Sequence, residues 1–129
     1  MAENFLTGIQ HIGIPTNDID ATIDFYKALG FTIASETFLK EDNCKVCFLK
    51  MKNLVIETYE NHQAVLKPGA VDHIALDVND IDAAFAFAKK SGFKMLDNEI
   101  SGLPFWEKGV RFFKIEGPNK EYVEFCQIL

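Results

Sequence analysis

The sequence predicts an α+β protein of two βαβββ modules whose strands make one open, barrel-like sheet of eight. Three observations carry this. The chain repeats itself, each copy holds a capped helical stretch, and each helical stretch is flanked by apolar runs of strand length. Residues 9–31 (IQHIGIPTNDIDATIDFYKALGF) align without a gap with residues 71–93 (VDHIALDVNDIDAAFAFAKKSGF) at an offset of 62, with 11 of 23 positions identical. Two copies at so long a period are too few for a solenoid and suit two equivalent halves of one domain.

Ile9–Ile14 and Val71–Val78 are apolar runs bounded by polar turns and read as the first strand of each module. Asn17-Asp18 and Asn79-Asp80 then offer side-chain oxygens to start a helix. Ile19, Ile23, Tyr26 and Leu29 recur at helical spacing, as do Ile81, Phe85 and Ala88. Gly30 and Gly92 stand where a helix end takes positive φ. Three strands follow in each half: Phe31–Phe38, Lys45–Met51 and Leu54–Tyr59, then Phe93–Leu96, Val110–Ile115 and Tyr122–Ile128. Asp42-Asn43, Lys52-Asn53 and Gly117-Pro118-Asn119 supply turns. The modules cover about 8–60 and 70–129, joined by Asn61–Gly69, and residues 1–129 are expected to be a single domain. A helix covers only one face of each half's sheet. The other face needs a partner, either the second half or a second subunit.

A net charge of −6 argues against nucleic acid, whose binders need a basic face, and against anionic membrane. No apolar run approaches the length of a membrane span. The opening Met-Ala-Glu-Asn-Phe lacks the basic start and apolar stretch of a signal peptide, so a cytoplasmic location is expected. The cysteines are Cys44, Cys47 and Cys126. Cys44 and Cys47 form a lone C-x-x-C within strand material, which puts them on opposite faces. All three are expected to be reduced packing residues rather than a zinc or redox motif.

His11 and His73 hold the same place in the two copies, and each copy closes on a glutamate inside an apolar strand, Glu57 and Glu124. A mid-strand carboxylate is expensive to bury unless it is paired or bound to a metal. Any one of the four alone would read as a packed or solvated side chain. Repeated in register, they form a symmetric set of two imidazoles and two carboxylates. Such a set suits a divalent metal (Zn, Ni, Co, Mn or Fe) with positions left for substrate oxygens. His62, in a polar turn, reads as solvated.

With these residues in view the chain resembles the vicinal-oxygen-chelate superfamily, and within it the glyoxalase I-like group. The resemblance rests on Gln10-His11-Ile12-Gly13-Ile14, the helix Ile19 to Phe31, Val55-Ile56-Glu57, Val71 to Leu76, and Ile115-Glu116-Gly117-Pro118-Asn119 with Val123-Glu124-Phe125. It implies paired βαβββ modules, a homodimer and metal ligands at His11, Glu57, His73 and Glu124. It also implies proton abstraction beside a metal-chelated oxygen of an α-oxo or α-hydroxycarbonyl substrate, such as a methylglyoxal–thiol hemithioacetal. Glu124 is the expected base and Glu57 the second candidate. Asn61, four positions past Glu57, matches a polar glutathione contact of the family. Arg111, the only arginine, joins it among the substrate-binding candidates. Phe105 and Trp106, in the glycine-bounded stretch 102–109, read either as a lid stacking on the ligand or as packing at the sheet edge. The basic residue that glutathione-using relatives carry four places after the first histidine is replaced here by Pro15. The rival readings are a methylmalonyl-CoA-type epimerase, whose site commonly has an amide in place of one carboxylate, and a non-catalytic small-molecule-binding resistance protein. The fourth carboxylate, Glu57, counts against an extradiol dioxygenase or a fosfomycin-type transferase, which use three protein ligands.

Overall fold

A computed structural model describes residues 4–129, so the first three residues of the opening read against a signal peptide lie outside the described region. The elements run β1 (Ile12–Thr16), α1 (Ile19–Ala28), β2 (Thr32–Leu39), β3 (Cys44–Met51), β4 (Leu54–Glu60), β5 (His73–Asp77), α2 (Ile81–Lys90), β6 (Lys94–Met95), β7 (Ser101–Leu103), β8 (Val110–Glu116) and β9 (Tyr122–Ile128). No helix of the described residues is long and apolar enough to cross a membrane. The chain divides into two compact units, the first ending at Ala64 and the second Val65–Leu129, so the boundary falls inside the expected joining stretch.

In the first unit the strand order is β1-β4-β3-β2, and in the second β5-β9-β8-β6, with β7 also paired to β8. The first and last strands of each unit run parallel and the rest antiparallel. Two features differ from the sequence reading. The expected eight strands become nine among the described residues, in one sheet of four and one of five. The second unit's second strand is interrupted between β6 and β7 for a local reason. Leu96 N–H still donates to Lys114 O (2.9 Å), but the next bond is made by a side chain, as Lys114 N–H donates to Asp97 Oδ2 (2.8 Å). Pairing with β8 resumes only at Ser101. The first strands also begin later than expected. Ile9 and Val71 are both 71% exposed and outside β1 and β5, and His11 stands one residue before β1.

The two helices start alike. Asp18 caps α1 by accepting from Ala21 N–H (3.0 Å), and Asp80 caps α2 by accepting from Ala83 N–H (3.0 Å). A second acceptor reaches each helix from the unit's last strand. Glu60 Oε2 takes Ile19 N–H (2.8 Å), and Gln127 Oε1 takes Ile81 N–H (2.9 Å). Each helix ends before a glycine at positive φ, Gly30 at 103° and Gly92 at 78°.

Strand alternation sends one row of side chains toward the helix. In the first unit Ile19 and Tyr26 of α1 are buried with Cys47, Leu49, Ile56 and Thr58. In the second, Ile81 and Ala88 of α2 are buried with Phe113, Ile115, Val123 and Phe125. Thr16 and Thr22 share a buried hydroxyl–hydroxyl bond of 2.9 Å. Thr58 Oγ1 is buried with no hydrogen-bond partner among the described residues. Thr58→Val keeps the shape and removes that orphaned hydroxyl. It is expected to raise unfolding stability by about 1 kcal/mol, read from urea denaturation.

Candidate metal centre

Register places each glutamate on the face of its sheet away from the helix. Glu57 sits between Gly13 of β1 and Phe48 of β3. Its sequence neighbours Ile56 and Thr58 point the other way, into the core. Glu124 sits between Ala75 of β5 and Lys114 of β8, and its neighbours Val123 and Phe125 are buried. Beside Glu57 the missing side chain of Gly13 leaves room that the Tyr59 ring shares, its Cε1 3.5 Å from where a Gly13 Cβ would stand. A Cβ on Gly13 would lie 3.8 Å from Glu57 Oε1.

Each histidine is brought to the glutamate of its own unit. His11 Nε2 is 3.5 Å from Glu57 Oε1, and His73 Nε2 is 3.5 Å from Glu124 Oε2. His11, Glu57 and Glu124 are partly buried, Glu124 the most at 14% exposed, and His73 is exposed. The other ring nitrogen is engaged by the residue just before each histidine. His11 Nδ1 bonds to Gln10 Oε1 (2.9 Å) and His73 Nδ1 to Asp72 Oδ2 (3.0 Å). A carboxylate oxygen, or an amide oxygen, only accepts, so with Nδ1 donating to it Nε2 is the ring nitrogen turned toward the glutamate. At 3.5 Å each contact brings together an Nε2 and a carboxylate oxygen that share a positive charge between them. A proton or a metal ion supplies it, and a second partner on the far ring nitrogen is the usual way a metal-binding histidine is held. The sequence reading missed Gln10 and Asp72 in this role. The signal was a polar residue preceding the histidine in both copies. His11 is further fixed edge-on against Phe48, with ring centroids 5.6 Å apart. Among the described residues, no third His, Cys, Asp or Glu joins either pair in a geometry that would hold a metal by itself, so each pair alone is an incomplete site.

The substrate-binding candidates are spread more widely. Asn61 lines a cavity of about 550 Å³ in the first unit, together with Glu57, Tyr59, Glu60 and His62. His62 therefore borders this cavity, and its Nε2 is 3.8 Å from Glu60 Oε1. Phe105 and Trp106 are 55% and 73% exposed in the turn between β7 and β8. Arg111 lies on the helix-bearing face, in register with Gln127, the opposite face from Glu124. Its guanidinium forms a two-pronged bond to Asp82 (3.0 and 3.1 Å), which holds that carboxyl below its usual range.

The three cysteines are free, as expected of packing residues. Burial, then Glu36, pushes the Cys47 thiol up, and burial, then Glu124 and Asp77, pushes Cys126 up. Both thus lose the thiolate character a nucleophile or metal ligand needs.

The chain can be set beside known proteins. Residues 10–112 match the Glyoxalase/Bleomycin resistance protein/Dioxygenase superfamily. The chain belongs to this superfamily. It is 36% identical over 124 residues to the uncharacterized protein YwbC of Bacillus subtilis (strain 168), covering 92% of this chain and 96% of that one. In three dimensions it resembles a glyoxalase family protein from Enterococcus faecalis, with a TM-score of 0.80, 23% identity, and coverage of 95% of this chain and 98% of the other. It also resembles the fosfomycin resistance protein FosX of Listeria monocytogenes, solved with Mn(II) and a sulfate ion. There the TM-score is 0.74 and the identity 16%, over 97% of this chain and 95% of FosX. At these identities the two structures establish the fold alone.

Proposed function

We propose that the chain is a metal-dependent lyase or isomerase of glyoxalase I type. Its substrate would be a small α-oxo or α-hydroxycarbonyl compound such as a methylglyoxal–thiol hemithioacetal. The observation that carries the reading is the contact of histidine Nε2 with glutamate carboxylate at 3.5 Å, repeated in both units. His11, Glu57, His73 and Glu124 would jointly hold one Zn, Ni, Co, Mn or Fe ion, two ligands from each unit. The donor chemistry fits: imidazoles with Nδ1 engaged and Nε2 turned to a carboxylate. When bound, the metal supplies Lewis-acid polarisation of a substrate oxygen.

The rest is the work of the chain. Glu124, the more buried carboxylate, takes a proton from the carbon beside the polarised oxygen and returns it to the adjacent carbon. Glu57 is the second candidate for this transfer. Asn61, on the cavity that reaches Glu57, is placed to hold a polar part of the substrate. Phe105 and Trp106, on an exposed turn, are candidates to cover it. Arg111 would serve a substrate only by leaving Asp82. We take the chain to work as one domain, as a homodimer in the cytoplasm. The closest rival is an epimerase of the methylmalonyl-CoA type, and the second carboxylate, Glu57, favours the glyoxalase side.

The test is the metal content of untagged protein, followed by activity on the methylglyoxal–glutathione hemithioacetal with added Ni, Co, Mn or Zn. One metal per chain with turnover is the expected result. Metal without turnover on this substrate would move the search to epimerase substrates. A protein that binds no metal would overturn the reading and favour a binding module.

A further inference from the structure

Glu57 is not alone on its stretch of β4. Tyr59 follows two residues later on the same face, and both side chains line the cavity of about 550 Å³ in the first unit. They meet beside Gly13. Glu57 Oε1 and Tyr59 Oη each lie 3.8 Å from the point where a Gly13 Cβ would stand. The cross-strand neighbours of Tyr59 are Pro15 on β1 and Val46 on β3, neither with a side-chain donor or acceptor. Among the described residues the Tyr59 hydroxyl makes no hydrogen bond, although the side chain is half-buried. The residue at this place in the second unit is Cys126, paired with Asp77 of β5 as Tyr59 is with Pro15 of β1. The phenol therefore belongs to the first unit alone.

The charge around the cavity is one-sided. Asp42, Glu57 and Glu60 line it, and no lysine or arginine does. Its one basic side chain, His62, is turned to Glu60, with Nε2 3.8 Å from Oε1. A carboxylate brought here meets like charge without a cation to answer it. An ionised carboxylate such as Glu57 only accepts, whereas a phenol donates a hydrogen bond and carries no charge. We infer that Tyr59 is a specificity-determining residue whose O–H donates to an uncharged oxygen of the substrate, a hydroxyl or a carbonyl, while the surrounding carboxylates turn away an anionic group. The inference rests on Glu57 being a site residue. It adds the nature of the group that this cavity receives, which is neutral and oxygen-bearing.

The test titrates hydroxyacetone, which is uncharged, and glycolate, its anionic counterpart, into metal-free and Zn-loaded protein, with the backbone amides of β4 and of Asn61 to Gln63 followed by NMR. Tyr59→Phe keeps the ring beside Gly13 and removes only the hydroxyl. It is expected to weaken hydroxyacetone about three- to tenfold in whichever form binds it, the loss of one hydrogen bond, while Zn affinity, read by calorimetry, stays unchanged. Metal-free wild type should bind hydroxyacetone more tightly than glycolate. Equal hydroxyacetone affinity in wild type and Y59F overturns the inference. So does tighter glycolate binding by the metal-free protein, or no response of these amides to hydroxyacetone in either form. Zn binding by the wild type then leaves the metal reading standing. A wild type that binds no Zn overturns the metal reading instead, and Tyr59 is judged by the metal-free titration, where the same results decide.

Discussion

Glu124→Gln should lower kcat by about 10²–10⁴-fold, the range expected when a positioned general base is lost. The amide keeps the shape of the carboxylate but not its proton affinity. The fold should survive, because Glu124 is on the face away from α2 and contributes nothing to the core around Phe113, Val123 and Phe125. Turnover on the metal-reconstituted protein, with circular dichroism and thermal melting alongside, checks both halves of the expectation. Glu57→Gln should cost less if Glu57 is a ligand without a proton-transfer role. An unchanged rate in Glu124→Gln would remove this residue from the mechanism, and a larger loss in Glu57→Gln would exchange their roles.

The largest effect on stability is expected from Phe113→Ala. Phe113 is fully buried, stacked on Phe125 at 4.8 Å with rings 11° apart, and edge-on to Phe85 of α2 at 5.0 Å. Truncation removes the ring that joins α2 to the sheet and leaves a cavity among large side chains that cannot easily close. A loss of about 3–5 kcal/mol is expected from urea denaturation. A loss near 1 kcal/mol would mean that Phe85 and Phe125 collapse into the space.

Much of this was legible in the sequence because the duplication converts weak local signals into paired ones. Asp18 and Asp80 cap as read, Gly30 and Gly92 take positive φ, and the two helices start and stop in register. The histidine–glutamate pairing within each unit also follows from the repeat. The illegible parts are those where the copies diverge. The offset is 62 at the histidines and 67 at the glutamates, and the added residues fall where β6 and β7 break and the 102–109 turn protrudes. Nothing in the local pattern says that Asp97 will bond to the backbone of Lys114 instead of continuing a strand. The face on which Arg111 lies depends on a register that composition does not encode. Glu60 and Gln127 look like ordinary strand-end polar residues until the helix starts are placed beside them.

The parallel pairing of first and last strands in each unit has a consequence for the order in which the protein is made. His11 and Glu57 lie toward opposite ends of their unit's sequence, as do His73 and Glu124, and most of the unit is synthesised between them. Such a contact closes a long loop, so it forms late and only after the hairpins between it have given it somewhere to dock. A nascent chain therefore shows histidine without glutamate for most of its emergence. Each pair is completed only when β4 or β9 zips into place, at the end of the folding of its unit.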